Sequence, residues 1–206
     1  MSKYLNEKKR MLKAEKIIGK AIEKNIKTIE NNCRSSAVIC LIFYENNKLN
    51  ILLTKRSEKL VNHAGEISFP GGKVESFDQS PLEAALRETN EEIGVPEKDI
   101  KVLGKLDEIV TGTGFHITPY VGILITTKNI EINLNEVSEI IKLPIQIILN
   151  KNNHIRLNRQ FNKIKYNFWK IKYLNYNIWG ATASILVGFA VKITNIKEYQ
   201  NNMGFK

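Results

Sequence analysis

Residues 71–95 read GGKVESFDQSPLEAALRETNEEIGV, the stretch of this 206-residue chain that is richest in structural and chemical signals. Ser80 is a preferred N-cap residue, Pro81 suits the first helical turn and Glu83 completes a capping box. Gly94 is the residue type that commonly follows the last turn. The segment from this N-cap to this glycine therefore predicts a helix.

Three carboxylates lie side by side on the predicted helix. At about 100° per residue, Glu88, Glu91 and Glu92 occupy one arc beside the apolar stripe. Like charges at this spacing repel by about 0.2–0.5 kcal/mol per pair unless something sits between them. Mg²⁺ and Mn²⁺ prefer carboxylate oxygens, so the arc predicts a site for one of these cations. A solvated acidic face is the alternative when the helix is considered alone.

Residues around the acidic arc shift the balance toward a metal site. We expect Arg87 to pair with Glu83 and Glu91, each one turn away, and so to orient the carboxylates. Gly71 and Gly72 form a turn whose backbone can approach a ligand closely and offer a carbonyl to a metal. Because only a short loop joins this turn to the acidic helix, we favour the metal site over the solvated face.

The same segment resembles the Nudix box, G-x5-E-x7-R-E-U-x-E-E-x-G-U, in which U is an apolar residue. The matching positions are Gly72, Arg87, Glu88, Glu91, Glu92 and Gly94. Asp78 stands where the pattern has Glu, one additional residue separates Asp78 from Arg87, and Thr89 occupies an apolar position. The resemblance implies a pyrophosphohydrolase that uses Mg²⁺ or Mn²⁺. It also implies an α/β fold, a Nudix-like α/β/α sandwich with a mixed sheet between helices.

Segments outside the box are similar to the coenzyme A pyrophosphatase branch of that family. Residues 52–72 (LLTKRSEKLVNHAGEISFPGG) resemble the branch signature, although Val61 stands where the branch usually has Arg. Residues 111–122 (TGTGFHITPYVG) and 178–183 (IWGATA) are similar to the branch as well. The resemblance covers roughly residues 34–191. It implies hydrolysis of coenzyme A or its thioesters to 3′,5′-ADP and 4′-phosphopantetheine.

The resemblance also implies roles for individual residues. Glu88 and Glu92 are expected to be direct metal ligands, and Glu91 is expected to be a ligand or the base that activates water. The expected metal site comprises Glu88, Glu91, Glu92 and Gly72, the expected catalytic set adds Arg87, and the expected substrate-binding residues are Arg56, Lys55, His63 and Gly71. Lys55 is alternatively an exposed strand-end lysine, and His63 is equally well explained as a hydrogen-bonded structural group.

Four further residues are candidates for the site, and two of them have a second interpretation. Glu136 and Glu139 are predicted in a loop or helix start, where some Nudix enzymes carry a base from outside the box. Phe115 and Trp179 either stack on a nucleobase or, as is more usual for aromatic residues at junctions, pack in the core.

Composition is that of a globular protein, with 43% hydrophobic and 25% charged residues. The net charge of +10 favours anionic partners, but we interpret the charge as spread along the chain, which makes nucleic acid an unexpected partner. The apolar runs 37–43 and 185–191 are too short to cross a bilayer, and no apolar signal core is found, so a cytoplasmic protein is expected. Cys33 and Cys40 are expected to be reduced.

The predicted organisation of the chain has three parts. A homodimer is compatible with the sequence. Residues 1–32 form an amphipathic helical extension, residues 33–197 the Nudix domain and residues 198–206 a tail. Isoleucines 18, 22, 26 and 29 recur at helical spacing within Lys8 to Glu30. Strands are predicted at residues 36–44, 48–54, 100–109, 116–126 and 156–173, with a loop at 56–72 and a last helix near 179–193.

Two other functions fit the sequence. One is a Nudix hydrolase of another substrate, such as ADP-ribose, a dinucleotide, an oxidised nucleotide or an RNA cap. The other is a binding module for RNA that has kept the fold and lost activity. The intact Glu88, Glu91 and Glu92 argue against the second, since a lost site does not need three crowded carboxylates.

Overall fold

The computed structural model describes residues 2–22, 27–28, 33–161 and 164–194. Its helices and strands are α1 (Ser2–Ile22), β1 (Arg34–Glu45), β2 (Lys48–Arg56), β3 (Ile67–Ser68), β4 (Gly71–Lys73), α2 (Pro81–Ile93), β5 (Ile100–Lys105), β6 (Ile109–Val110), β7 (Phe115–Leu124), β8 (Val137–Pro144), α3 (Ile145–Leu149), β9 (His154–Phe161), β10 (Ile164–Tyr173), β11 (Tyr176–Trp179) and α4 (Gly180–Thr194). None of the helices in these parts of the chain is both long and apolar enough to span a membrane.

The main sheet is mixed. Its strand order is β3-β2-β1-β7-β5, with β4 paired to β1, β6 to β7 and β8 to β2. Strands β1 and β7 run parallel, and the other pairs are antiparallel. A separate three-stranded antiparallel sheet has the order β11-β10-β9.

Alternate side chains of β1 enter two different cores. Ile39 and Leu41 pack with Ile93 of α2 on one face of the sheet. Cys40 and Ile42 point to the opposite face, where they pack with α1 and α4. Because side chains alternate along a strand, this split places the sheet between two helical layers. The predicted α/β/α sandwich with a mixed sheet is confirmed.

The predicted helix between Ser80 and Gly94 is confirmed as α2, with one change at its cap. The Ser80 hydroxyl accepts the N–H of Glu83 at 3.2 Å, and Gly94 adopts the left-handed conformation at φ 68°. The carboxylate of Glu83 accepts the N–H of Gln79 at 2.7 Å, one residue before the cap. Buried Thr89 satisfies its hydroxyl by donating to the carbonyl of Ala85 at 2.6 Å, which explains how it occupies an apolar position.

The strand predictions need several corrections. The predicted strands at 36–44 and 48–54 are confirmed as β1 and β2, which form a hairpin whose two-residue turn is Asn46 and Asn47, with φ of 52° and 62°. The predicted loop at 56–72 contains β3 and the start of β4, and the predicted strand at 156–173 is the hairpin of β9 and β10. Strand β8 was missed because neighbouring isoleucines interrupt its alternating pattern.

The N-terminal helix packs into the main core. It begins at Ser2, earlier than predicted, and Ile18 and Ile22 are fully buried. Ile26 and Ile29 lie outside the described residues, as do residues 198–206. The helix thus contributes apolar side chains to the same core as α4.

The charge of the chain is strongly asymmetric. Residues 1–139 hold equal numbers of basic and acidic side chains, so the whole net charge of +10 resides in residues 140–206. Residues 140–197 contain neither Asp nor Glu. The interpretation that the charge is spread along the chain is therefore wrong.

Candidate active site

The glycine turn lies directly against the acidic helix. Gly71 has φ 137°, and a Cβ there would lie 2.3 Å from the carbonyl oxygen of Ala37. A Cβ on Gly72 would lie 2.5 Å from the carboxylate carbon of Glu88. The N–H of Gly71 donates to Oε2 of Glu92 at 3.3 Å. Only glycine lets the backbone come this close both to β1 and to the two carboxylates.

Glu92 is a buried carboxylate, with 3% of its surface exposed. Burial raises the pKa of Glu92 to about 8, against the opposing effects of the Gly71 N–H and the positive charge of Arg56. Burial also raises the pKa of Glu88, against the effect of its hydrogen bond from Arg87. Two partly desolvated carboxylates side by side form a place where a cation would be strongly favoured.

Arg87 holds this cluster together. Its Nη1 donates to Oε1 of Glu88 and Oε2 of Glu91, at 3.0 Å each. Its Nε and Nη2 donate to the two carboxylate oxygens of Asp78 at 3.0 and 3.1 Å. The predicted pair with Glu91 is confirmed, whereas the predicted pair with Glu83 is wrong, since the Glu83 carboxylate turns toward the helix cap.

Asp78 is the residue at which the chain departs from the box pattern. Its carboxylate also accepts the N–H of Glu75 at 2.8 Å. The hydrogen bond from Arg87 is the main reason why the pKa of Asp78 lies below its usual value. The side chain thus fixes the guanidinium of Arg87, and through it Glu88 and Glu91.

The donor set suits a hard divalent cation. Carboxylates from one helical ridge and a nearby backbone carbonyl are the oxygen ligands that Mg²⁺ and Mn²⁺ take. The carbonyl of Gly72 accepts the Ser36 hydroxyl at 2.7 Å and has a second lone pair. As the side chains stand, no three acidic, His or Cys groups among the described residues converge closely enough to hold a metal ion. Nη1 of Arg87 lies between the carboxylates of Glu88 and Glu91 and donates to both.

Two residues from outside α2 lie near the cluster. Arg56 ends β2, and its Nε is buried without a hydrogen-bond partner among the described residues. Glu136 lies in the turn before β8, where Nδ2 of Asn133 donates to its carboxylate at 3.1 Å. The charge of Glu136 raises the pKa of both Glu88 and Glu92, so its carboxylate is within electrostatic reach of them.

The structure separates Glu136 from Glu139, although the sequence grouped them. Glu139 lies within strand β8 and not at a helix start, and its carboxylate accepts the hydroxyl of Tyr176. Tyr176 belongs to β11 of the small sheet. Of these two carboxylates, Glu136 is the one whose charge raises the pKa of Glu88 and Glu92.

The other predicted substrate residues have local partners. Lys55 pairs with Glu58 at 3.6 Å, and Nδ1 of His63 lies 3.0 Å from the carboxylate of Glu66. Val61 is 96% exposed on the same loop. None of the described contacts joins the loop between β2 and β3 to the carboxylates of α2.

The two aromatic candidates also lie outside the buried core. The guanidinium of Arg34 lies 4.1 Å from the ring centroid of Phe115. Trp179 is 37% exposed and packs edge to face against Phe168. The core interpretation is therefore wrong for Trp179, whereas Phe115 is half-buried against Arg34.

Sequence reasoning missed Ser36 and Asn133 as supports of the site. Ser36 orients the carbonyl of Gly72, and Asn133 holds Glu136. The N–H of Asn133 also donates to the carbonyl of Glu92 at 2.9 Å. A polar residue at the start of an apolar run was the available signal for Ser36, whereas nothing local marked Asn133.

Comparisons with known proteins agree with this geometry. The model of the NUDIX domain family matches residues 34–161. The chain is 33% identical over 160 residues to the uncharacterized Nudix hydrolase NudL of Citrobacter koseri, covering 78% of this chain and 83% of that protein. It is 35% identical over 162 residues to the protein of the same name from Salmonella newport, covering 79% and 84%.

A solved structure resembles the fold over most of the chain. The MutT/nudix family protein from Enterococcus faecalis superposes with a TM-score of 0.56 and 17% identity, covering 86% of this chain and 68% of that one. At this identity, the likeness concerns the fold alone.

Proposed function

Because the chain belongs to the Nudix family and is a Nudix pyrophosphohydrolase of a nucleoside diphosphate derivative, we propose that its substrate is coenzyme A or a coenzyme A thioester. The products would be 3′,5′-ADP and 4′-phosphopantetheine from coenzyme A, or 3′,5′-ADP and the S-acylated 4′-phosphopantetheine from a thioester. The approach of the Gly71–Gly72 backbone to two desolvated carboxylates carries the hydrolytic part of the proposal. The similarity of residues 52–72 to the coenzyme A branch supports the choice of substrate.

The proposed metal site uses Glu88 and Glu92 as direct ligands, with Glu91 and the Gly72 carbonyl completing it. A bound Mg²⁺ or Mn²⁺ would neutralise the diphosphate and lower the pKa of a bound water. The chain contributes the orientation of these oxygens. Arg87 is proposed to release Glu88 and Glu91 in part while Asp78 keeps the guanidinium in place.

Arg56 is the proposed phosphate-binding residue. Its Nε is a buried donor without a described partner, next to Glu92, and an unsatisfied donor of this kind favours an anionic oxygen. Gly71 would shape the floor of the same site. Lys55 and His63 remain proposals of lower rank, because each has a carboxylate partner of its own.

Glu136 is the proposed base. Its carboxylate is held by Asn133 and lies near the cluster without belonging to α2. A carboxylate in this place can accept the proton of an attacking water. Glu91 is the alternative base, since it is the most exposed of the three helix carboxylates. The split into residues 1–32, 33–197 and 198–206, and a cytoplasmic location, also stay proposals.

A turnover assay on a panel of diphosphates tests the proposed substrate. Coenzyme A, acetyl-coenzyme A, ADP-ribose, a dinucleotide, an oxidised nucleotide and a capped RNA are each incubated with Mg²⁺ or Mn²⁺, and products are separated by chromatography. We expect the highest kcat/KM for a coenzyme A compound, with 3′,5′-ADP released. A higher value for any other compound would refute the choice of coenzyme A and leave the hydrolase intact.

A further inference from the structure

The small sheet of β9, β10 and β11 carries much of the unbalanced positive charge. It lies within residues 140–197, which contain neither Asp nor Glu. Lys142 and Lys192 of this region are neutralised by Glu45 and Asp107 of the other half. Lys170 and Lys172 form no ion pair with an acidic side chain in the described part of the chain. Their charge is therefore available to a partner.

The register of the small sheet separates an inner from an outer face. Ile171 and Ile178 are directly opposite each other and fully buried, so they mark the inner face. Because side chains alternate along a strand, the facing pairs on either side of Ile171 and Ile178 point to the opposite face of the sheet. This outer face comprises Ile155 and Leu157 of β9, Phe168, Lys170 and Lys172 of β10, and Asn177 and Trp179 of β11.

Aromatic rings lie among the cations of the outer face. Phe168 and Trp179 meet edge to face, with ring centroids 5.7 Å apart and planes at 70°. Trp179 is directly opposite Lys170 and is 37% exposed, although tryptophan is usually buried. Lys172 lies two residues further along β10 and is exposed. The face thus combines a pair of aromatic rings with two ammonium groups.

We propose that the outer face binds single-stranded nucleic acid. Bases would stack on Trp179 and Phe168, and phosphates would contact Lys170 and Lys172. Sheets that bind single strands combine these two features, because every base has a face to stack and every nucleotide carries a charge. An anionic membrane would be met better by apolar groups protruding from a loop or helix than by rings set within a sheet. This binding is separate from the hydrolysis proposed above.

Fluorescence anisotropy with a labelled oligouridylate of about 12 nucleotides tests the proposal on the full chain. The variant Lys170→Gln/Lys172→Gln removes two charges from the outer face. The control Lys48→Gln/Lys98→Gln removes two exposed lysines from the electrically balanced half. We expect a Kd on the order of 10 µM at low salt. The outer-face pair should weaken binding about 10-fold, while the control should bind as the natural protein does.

Salt dependence gives a second readout. Each lost phosphate contact reduces the slope of log K against log salt by about 0.7, so the outer-face pair should lower the slope by about 1.4. Trp179→Leu keeps apolar bulk, removes the stacking ring and should weaken binding about 5-fold or more. Melting temperatures identify any variant that has lost its fold. Turnover of coenzyme A should be unchanged in Lys170→Gln/Lys172→Gln.

Several results would overturn the proposal. They are no binding at low salt, an equal loss in the control pair, or an unchanged slope in the outer-face pair. Binding to vesicles of phosphatidylcholine and phosphatidylglycerol without binding to the oligonucleotide would also overturn it and would identify a membrane surface. Because binding is measured without turnover, failure of the proposed hydrolysis would leave this result unaffected.

Discussion

Replacing Gly72 with Ala tests whether the acidic helix is the catalytic site. The new Cβ would lie 2.5 Å from the carboxylate carbon of Glu88 and 2.6 Å from its Oε2. An ordinary contact needs about 3.4 Å or more, so the Glu88 carboxylate must move by about 1 Å. A displacement of that size in a catalytic group can reduce the rate about 100-fold. We therefore expect kcat/KM to fall by about two orders of magnitude.

Stability should change little in the same variant. The Glu88 carboxylate is the flexible end of its side chain and can move. Its ion pair with Arg87 is partly exposed, so the loss of this pair should cost about 1 kcal/mol or less of folding free energy. For a chain of this size that corresponds to a drop in Tm of about 4 °C or less. Gly71→Ala is the contrast, because its Cβ would collide with the backbone of β1 at a positive φ, and this variant should lose stability outright.

Gly188→Ala provides the matched control. A Cβ at this position in α4 would meet nothing within 4 Å, and alanine stabilises a helix interior by about 0.5–1 kcal/mol. Steady-state turnover with Mg²⁺ or Mn²⁺ and thermal melting are measured for all three variants. Normal kcat/KM in Gly72→Ala would refute the assignment of Glu88 to the catalytic site.

Four further outcomes are expected. Glu92→Gln should lower kcat by about 10²–10³ with an unchanged circular dichroism spectrum, and near-normal turnover would remove Glu92 from the metal site. Arg56→Ala should lower kcat/KM for coenzyme A at constant Tm, whereas a large loss of Tm would make Arg56 structural. The natural chain should discriminate weakly between coenzyme A and dephospho-coenzyme A, and Val61→Arg should favour coenzyme A by about 10-fold or more, equivalent to about 1.5–3 kcal/mol. A strong preference already present and unaffected by the substitution would show that the 3′-phosphate is bound elsewhere. Burial raises the pKa of the Cys40 thiol, so a thiol reagent at pH 8 should label only Cys33 before denaturation and both afterwards. Labelling of two thiols in the native chain would contradict the buried position of Cys40.

Features that depend on neighbours a few residues apart could be predicted from sequence. The cap at Ser80, the end at Gly94 and the shared arc of Glu88, Glu91 and Glu92 follow from helical spacing alone. The two-residue turn of the first hairpin is equally local. The family resemblance rests on the same local segment, which is why the fold class was predicted correctly.

The asymmetry of the charge is a property of the sequence alone. The restriction of the net charge to residues 140–206 can be counted without a structure. Counting cannot reveal which of these cations share a surface, because Lys142 and Lys192 find acidic partners from distant segments. The outer face of the small sheet became visible only through the register of β10 with β9 and β11.

The surroundings of the acidic helix were decided by tertiary structure. Arg56 at the end of β2 and Glu136 in the turn before β8 lie near the cluster although they are far from it in sequence. Arg87 pairs with Asp78, while Glu83 accepts the N–H of Gln79. Helical spacing specifies which side chains of one helix are neighbours. It contains no information on how strands cross, so the burial of Glu92, which raises the pKa of its carboxyl, arises only when α2 packs against the sheet.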